Sequence, residues 1–344
     1  MAKRGATIKD VARLAGVSIA TVSNVVNGKR PVSEELRERV QRAIQQLKYR
    51  PSAAGRALRT GRSQSIGVLL PDPRNQFFQV LVQGLEEQAE LHDNNMWCCN
   101  TKDDPSRERE YIELMIARGV DGIIMVPGPE GRDSGRYLVE EGVPFVVVVR
   151  QIERFEADQV FGDSIGGSYN AIVHLVNLGH RRIGFLTGFR GIQTFKERLF
   201  GYQKALQDHG ILFDPGLVVD GYSDVEESRE AMRYLLKETD ATAVLASNYP
   251  MAVGALRCLR DENVNCPDEF SIIGFDDLPC AMLFSCPLTV IDENPLDMGR
   301  IAGQLLYRRI EATDLIEPEP QSVVIPSELI VRSSTAGPPH RSAD

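Results

Sequence analysis

From Ser65 onward, short runs rich in valine and isoleucine alternate with longer stretches whose apolar residues recur every three to four positions. Such runs are typical of buried strands, and such stretches of amphipathic helices. The predicted strands are Ile66–Leu70, Met96–Cys99, Gly122–Val126, Phe145–Val149, Arg182–Thr187, Leu217–Val219, Ala243–Ala246 and Ser271–Phe275. The predicted helices are Phe78–His92, Arg107–Arg118, Ser164–Leu178, Thr194–His209, Val225–Lys237, Met251–Glu262 and Pro295–Glu311. This alternation predicts parallel sheets with helices on both faces, and a break near Asp163 divides the many strands into two similar halves.

The first 27 residues have a different pattern, which predicts two short helices joined by a tight turn. One apolar face of the first helix consists of Ile8, Val11, Ala12 and Ala15. Thr7 can cap this helix, Gly16 tolerates the positive φ of a turn, and Ser18 can cap the second helix. A third helical pattern begins after Ser33 and would close a three-helix core.

The second helix has a small, uncharged polar face, formed by Ala20, Ser23, Asn24 and Asn27. Asparagine can pair with adenine in the major groove of DNA, and Ile19 or Ala20 can meet a thymine methyl group. Thr7, Ser23 and the helix N-termini can bond phosphates. The alternative is an ordinary helical hairpin whose polar face is simply solvated.

The charge of the chain is distributed unevenly. The formal net charge is -9, but residues 1–62 carry 14 Lys and Arg against 4 Asp and Glu. The remainder carries 25 against 44. A basic head on an acidic body is typical of a protein that contacts DNA at one end.

The sequence TIKDVARLAGVSIATVSNVVNG, which begins at Thr7, resembles the helix-turn-helix signature of the lac and galactose repressor family of bacterial transcription regulators. The resemblance continues along nearly the whole chain. It implies a DNA-binding domain at residues 1–50, whose second helix reads the operator. The DNA-contacting residues are then expected to be Thr7, Ser18, Ile19, Ala20, Thr21, Ser23, Asn24 and Asn27.

The resemblance also implies a hinge helix at residues 51–63. Two such helices from a dimer would lie in the minor groove, where Leu58 would wedge between base pairs. The alternative is a flexible linker that orders only on DNA.

The body, residues 64–332, is then expected to be periplasmic-binding-protein-like, with two Rossmann-like subdomains. Their expected limits are residues 64–163 plus 293–321 for the first, and 164–292 plus 322–332 for the second. Residues 333–344 are expected to form a flexible tail.

Open parallel sheets bind ligands beyond the carboxyl ends of their strands. The candidate effector-binding residues are Asp72, Asn75, Phe77, Phe161, Asp163, Arg198, Asn248 and Asp276. The resemblance singles out Arg198, followed by Asn248 and Asp276. The alternative for each polar residue is a strand-end cap or a salt bridge.

Three positions depart from the pattern of the family. Tyr249 and Val149 stand where the family usually has Asp, which leaves the identity of the effector open. Asn24 stands where many relatives carry Arg, which predicts adenine rather than guanine at one operator position.

The sequence argues against other functional classes. The segment Gly162–Gly166 matches the G-x-S-x-G of hydrolases after a short strand, but a catalytic triad would need a distant histidine such as His209. The chain has no Walker A and no G-x-G-x-x-G after a strand, and its six cysteines have no zinc-site spacing. We therefore expect no cofactor and no metal.

The predicted protein is a regulator, most simply a repressor, that binds a pseudo-palindromic DNA operator as a homodimer. A sugar or sugar derivative would act as its small-molecule effector. The N-terminus has no apolar signal region, and no segment is long and apolar enough to enter a membrane, so we expect a cytoplasmic protein rather than a transport binding protein.

Overall fold

The computed structural model describes residues 6–27, 32–49, 62–189, 191–277, 279–282, 286–312 and 318–339. The chain divides into two compact units, Met1–Gln64 and Ser65–Asp344. We call them the headpiece and the body.

The described part of the headpiece contains three helices, α1 (Ile8–Ala15), α2 (Ile19–Asn27) and α3 (Glu34–Leu47). They enclose one small core, made by Val11, Ala12, Ala15, Val22, Val40 and Ala43. The apolar spacing of the sequence predicted this arrangement.

The turn between α1 and α2 is fixed by local chemistry. Thr7 and Asp10 form a capping box at the start of α1, and Gly16 ends the helix with a φ of 63°. The Ser18 Oγ accepts a hydrogen bond from the Thr21 amide at 3.0 Å, which caps α2. Arg39 of α3 donates to the Ala15 carbonyl at 2.8 Å, so this arginine fastens α3 to the end of α1.

The helices of the body are α4 (Gln76–Leu91), α5 (Pro105–Arg118), α6 (Gly131–Glu140), α7 (Ser164–Asn177), α8 (Gln193–Asp208), α9 (Val225–Glu238), α10 (Tyr249–Asp261) and α11 (Pro295–Ile310). Its strands are β1 (Ser65–Leu70), β2 (Asn95–Asn100), β3 (Gly122–Met125), β4 (Phe145–Val148), β5 (Asp158–Gly162), β6 (Ile183–Thr187), β7 (Val218–Asp220), β8 (Ala243–Ala246), β9 (Ser271–Phe275), β10 (Thr289–Asp292), β11 (Ser322–Ile325) and β12 (Glu328–Ile330). The elements thus alternate as the sequence predicted.

These strands form two six-stranded sheets. The first has the order β11-β5-β4-β3-β1-β2 and is parallel throughout. The second has the order β12-β10-β9-β8-β6-β7, in which only β12 runs antiparallel to its neighbour. We call the halves built on these sheets the first and the second subdomain.

Strand β4 shows why the sheets are buried on both faces. Its residues Val146 and Val148 pack into the cluster beneath α4 and α11, whereas Phe145 and Val147 pack into the cluster beneath α5 and α6. Because successive side chains point to opposite faces, a strand covered on both sides must be apolar at every position. The same alternation holds the second sheet between its helices.

Two expectations for the C-terminal part of the body were wrong. The strand β11 pairs with β5, with Ser322 opposite Gln159, so it belongs to the first subdomain and not to the second. The return to the second subdomain therefore falls between β11 and β12 rather than at residue 322. The sequence of a four-residue strand does not indicate which strand it pairs with. Its partner is the strand whose edge is unpaired, and here that strand is β5.

The prediction of a flexible tail at residues 333–344 was wrong for the part that the structure describes, residues 333–339. This segment packs against the second subdomain. The Ser334 Oγ donates to the Ile272 carbonyl at 2.6 Å and accepts from the Thr289 amide at 2.8 Å. The ring of His180 bonds the Ala336 carbonyl at 2.8 Å. Hydrogen bonding, which leaves no apolar pattern, holds this segment in place.

The helix α6 and the strands β10, β11 and β12 were not predicted, and β5 was noted only as a short strand before the G-x-S-x-G match. The α6 sequence GRDSGRYLVE contains two glycines and few apolar residues, and TVID is too short to stand out. None of the described helices has the length and the hydropathy needed to cross a membrane.

Candidate functional site

A cavity of about 550 Å³ lies between the two subdomains, at the carboxyl ends of their strands. Loops after β1, β2 and β4 form one wall. The other wall comes from the loops after β7, β8 and β9 and from the first turns of α8. We call this space the cleft cavity, and it is where two facing parallel sheets are expected to hold a ligand.

Six of the eight predicted effector-binding residues line the cleft cavity. They are Asp72, Asn75, Phe77, Arg198, Asn248 and Asp276. The other two, Phe161 and Asp163, do not line it, which corrects the prediction. Asp163 instead caps α7 by accepting from the Gly166 amide at 2.8 Å, because the chain turns there towards the second subdomain.

Arg198 on α8 is buried and held from several sides. Its Nη2 donates to Glu293 at 2.6 Å, its Nη1 donates to the Ser247 carbonyl, and its Nε donates to Ser164 at 3.3 Å. The guanidinium also lies 3.8 Å from the centroid of the Phe275 ring. Such a clamp fixes the guanidinium, which still has two N–H donors for a ligand.

Asp276 follows β9 in the left-handed conformation, with a φ of 74°. Its side chain is 3% exposed, and its Oδ2 accepts from the Tyr249 amide at 3.4 Å. Burial raises the pKa of this carboxyl to about 7, with Glu293 acting in the same direction and Arg198 against it. A carboxyl with this pKa can donate or accept a hydrogen bond near neutral pH.

Two of the asparagines are both caps and cavity residues. Asn75 accepts from the Phe77 amide at 3.1 Å and caps α4, while Asn248 accepts from the Met251 amide at 3.0 Å and caps α10. The Asn248 Nδ2 also donates to Ser223 at 2.9 Å. The alternative that these residues act as caps is therefore correct, and both of them also line the cavity.

Arg150 was not among the predicted site residues. It follows β4, is 8% exposed, and makes a bidentate ion pair with Asp103, whose second contact is 3.2 Å long. Its Nη1 also donates to the Pro127 carbonyl at 3.0 Å. The signal that could have identified it is a charged residue directly after the apolar run VVVV.

Val149 lies beside Arg150 in a tight turn. Its φ is 70°, and the Arg150 amide donates to the Val148 carbonyl across it at 2.8 Å. A β-branched residue rarely adopts this conformation, so the backbone here is strained. Val149 follows β4 as Asp276 follows β9, so the two residues occupy corresponding positions of the two subdomains.

Seven of the nine predicted DNA-binding residues lie just before α2 or within it, and Thr7 caps α1. Thr7, Ser18 and Ala20 are exposed, Ile19 is 46% exposed, and Thr21 and Asn24 are partly exposed. Ser23 is also partly exposed on the same helix. Asn27 ends α2, its side chain lying outside the described part, and Leu58 lies outside the described residues altogether.

Comparison with known proteins identifies both units. Residues 7–52 match the model of bacterial regulatory proteins of the lacI family, and residues 172–335 match the periplasmic binding protein-like domain. The chain is 33% identical over 330 residues to the HTH-type transcriptional repressor PurR of Haemophilus influenzae strain PittEE, covering 96% of this chain and 98% of that protein. It is 34% identical over 331 residues to the HTH-type transcriptional regulator RegA of Clostridium saccharobutylicum, covering 96% and 99%. The chain belongs to the lacI family.

Solved structures agree with this membership. The transcriptional regulator CelR in complex with cellobiose has a TM-score of 0.71 and 30% identity, over 96% of this chain and 99% of that one. The lac repressor dimer bound to operator and an anti-inducer has a TM-score of 0.84 and 24% identity, over 97% and 100%, and shows the same fold. As a member of the lacI family, the protein is a DNA-binding transcription regulator with a periplasmic-binding-protein-like body, and not an enzyme.

The surroundings of Ser164 differ from those of a hydrolase nucleophile. The Ser164 Oγ donates to Glu293 at 2.7 Å and is 3% exposed. Among the described residues no histidine contacts it, and His209 instead bonds the Ala205 carbonyl at 2.8 Å. The G-x-S-x-G match is therefore a link in the support of Arg198 and not a nucleophile elbow.

Proposed function

We propose that this lacI-family regulator represses transcription by binding a pseudo-palindromic operator as a homodimer in the cytoplasm. A small hydroxylated ligand, a sugar or sugar derivative, binds in the cleft cavity and changes the affinity for the operator. The main support for a ligand is the cavity itself, because residues of both subdomains line it. A ligand held by both walls has a different affinity for each arrangement of the subdomains, which is what coupling requires.

The headpiece supports the DNA part of the proposal. Its α2 exposes Ile19 and Ala20 at the N-terminal end, where a helix entering the major groove contacts base edges. A single headpiece of three short helices buries too little surface for useful specificity, and a two-fold dimer doubles the contacts on a two-fold site. Leu58 would add the minor-groove wedge.

The side chains of the second wall support a hydroxylated ligand. Arg198 offers donors, Asn248 offers an amide, and Asp276 can donate or accept. A structural relative was solved with cellobiose, and a lacI family regulator from Enterococcus faecium was solved with ribose, at 28% identity to this chain. Both ligands are uncharged sugars, which agrees with this set of groups.

The test of the proposal is selection of bound fragments from pooled genomic DNA, with and without a panel of sugars. We expect recovery of a palindromic site, an affinity that falls steeply with salt, and a shift in affinity with one ligand. Failure to enrich any site at low salt would contradict the DNA part. Specific binding that no ligand changes would contradict the effector part alone.

A pair of variants assigns the base contact. Asn24→Arg should replace the preference for adenine by guanine at one position of each half-site. Gln41→Arg adds the same charge at an exposed position of α3 and should leave every base preference unchanged. An unchanged preference in the Asn24 variant would remove this residue from the set that reads bases.

A further inference from the structure

The charges around the cleft cavity show a consistent pattern. Among the described residues, three arginines line it, namely Arg74, Arg150 and Arg198, and neither lysine nor histidine does. Four aspartates line it as well, and they are Asp72, Asp103, Asp224 and Asp276. Glu293 lies directly against Arg198. Carboxylates therefore outnumber cations at this site.

Each arginine already has a carboxylate partner from the protein. Arg74 forms two contacts of 3.0 Å with Asp72. The other two pairs are Arg150 with Asp103 and Arg198 with Glu293, and in both the guanidinium is nearly buried. At Arg150 and Arg198 a negatively charged ligand would have to compete with these carboxylates in a place where charge pairs are poorly screened. The Arg74 side chain is 88% exposed, so solvent screens its pair with Asp72.

Two further carboxylates form no ion pair among the described residues, although the charge of Arg74 acts on Asp224 and that of Arg198 on Asp276. Asp224 caps α9 by accepting from the Glu226 and Glu227 amides at 2.8 and 3.1 Å. Asp276 accepts a hydrogen bond from the Tyr249 amide at 3.4 Å. Both would repel an anion when ionised.

The helix N-termini at the cavity are the competing attraction, because free amides at such ends bind anions. The first turns of α4, α9 and α10 are already capped by Asn75, Asp224 and Asn248. At the fourth end, α8, the side chain of Gln193 bonds Glu153 at 3.0 Å and Glu197 at 3.1 Å. Carboxylates thus flank this end too, and its neutral amides are suited to a hydroxyl oxygen.

We infer that the cleft cavity selects a ligand that carries no negative charge, so sugar phosphates, nucleotides and sugar acids are excluded while their uncharged parents are admitted. The inference rests on the proposed function, since it describes the effector of the same site. Its physical reason is that every guanidinium is neutralised from within the protein before a ligand arrives. The hydrogen-bonding groups of the ligand face Arg198, Asn248 and Asp276, and the apolar side of the ligand faces Val149.

The first arm of the test compares matched ligands on the full-length protein by calorimetry. The pairs are glucose with glucose 6-phosphate and with gluconate, ribose with ribose 5-phosphate, and adenosine with adenosine monophosphate. In every pair that yields a complex, the uncharged member should bind at least about tenfold more tightly than the anion, which corresponds to about 1.4 kcal/mol. An anion that binds more tightly than its parent overturns the inference.

The second arm decides the question even when no member of the panel binds. Inorganic phosphate is titrated into the wild type and into Asp103→Asn, which leaves Arg150 without its carboxylate but removes no buried bulk. We expect phosphate to bind the variant at least about tenfold more tightly than the wild type. Equal affinities, measurable or not, would show that the internal carboxylate is not what excludes anions.

Controls separate this inference from the proposed function. Asp133→Asn removes an exposed carboxylate on α6, outside the cavity, and should leave phosphate affinity unchanged. Thermal unfolding of each variant establishes that it is folded. If an anion binds in the cavity and shifts operator affinity, the charge inference fails and the proposed function stands. If no ligand shifts operator affinity, the effector proposal fails whatever the result with phosphate.

Discussion

At the scale of single residues, the cleft cavity is set by buried charges that stabilise one another. Arg198 would be costly to bury alone, and Glu293, which is 2% exposed, neutralises it at 2.6 Å. Ser164 joins the pair by donating to Glu293. Asp276 lies next to this group, and burial raises the pKa of its carboxyl to about 7 although the charge of Arg198 acts in the opposite direction.

The raised pKa of Asp276 predicts a dependence of stability on pH. In the unfolded chain this carboxyl has its ordinary pKa near 3.8, and in the folded protein burial raises it to about 7. Between these values the folded state binds more protons, so the contribution of Asp276 to stability is full below pH 3.8 and is lost as the pH rises through 7. Asp276→Asn should therefore gain stability relative to the wild type as the pH rises from 5 to 8.

Urea unfolding of both proteins at pH 5 and pH 8 measures this difference. Arg198, Glu293 and Asp292 also face the carboxyl, and they are the same in both proteins. A difference in stability that stays constant across this range would show that Asp276 is ionised throughout.

At the scale of elements, α4 and α11 pack with their backbones in contact. A Cβ at Gly84 would lie 2.2 Å from the Leu296 carbonyl oxygen, and one at Gly299 would lie 2.1 Å from the Leu81 carbonyl oxygen. The two helices therefore meet at a pair of glycines. This contact cannot be seen in the sequence, because α11 begins about 200 residues after α4.

Gly299→Ala should destabilise the body by about 1–3 kcal/mol, because the methyl group has no room between the helices. In an open helix the same change would stabilise by up to about 1 kcal/mol, so the sign of the effect tests the packing. The urea midpoint is the measurement. Gln304→Ala, at an exposed position of α11, is the control and should change little.

The segment after β12 gives a second prediction at this scale. Ser334→Ala leaves the Thr289 amide and the Ile272 carbonyl without their side-chain partner in a buried place, which should cost about 1–3 kcal/mol. The neighbouring Ser333 is exposed, so Ser333→Ala is the matched control. Similar unfolding midpoints for the two variants would mean that Ser334 does not anchor the segment.

At the scale of the whole molecule, a regulator of this kind depends on two binding sites that communicate. Thermodynamic linkage requires that the effector and the operator change one another's affinity by the same factor. We expect that factor to be about 5–150-fold. Fluorescence titrations should give the same value whether ligand is varied at fixed operator or operator at fixed ligand.

A DNA fragment of equal length without the site is the control for this experiment, and it should leave ligand affinity unchanged. Unequal factors in the two directions would mean that the assay follows a kinetic effect or a change of assembly. A factor of one in both directions would mean that the two sites are independent.

The sequence alone determined the parts of this protein that depend on local periodicity. The helical hairpin at Thr7, the alternation of strands and helices, and the break at Asp163 all follow from apolar spacing and turn chemistry. Six cavity residues were found because the carboxyl ends of parallel strands meet at one edge. The resemblance to the lacI family, which the comparisons confirm, came from the same residues.

The tertiary structure alone decided what depends on partners distant in the chain. β11 joins the first sheet because the edge of β5 is open, and the segment at Ser334 is ordered by strands more than 40 residues away. Arg150 lines the cavity, where it pairs with Asp103. Phe161 and Asp163, which the sequence predicted for the site, lie outside the lining, and Asp163 caps α7 instead. Pairing and charge neutralisation arise between segments that only the fold brings together, so a one-dimensional pattern cannot carry them.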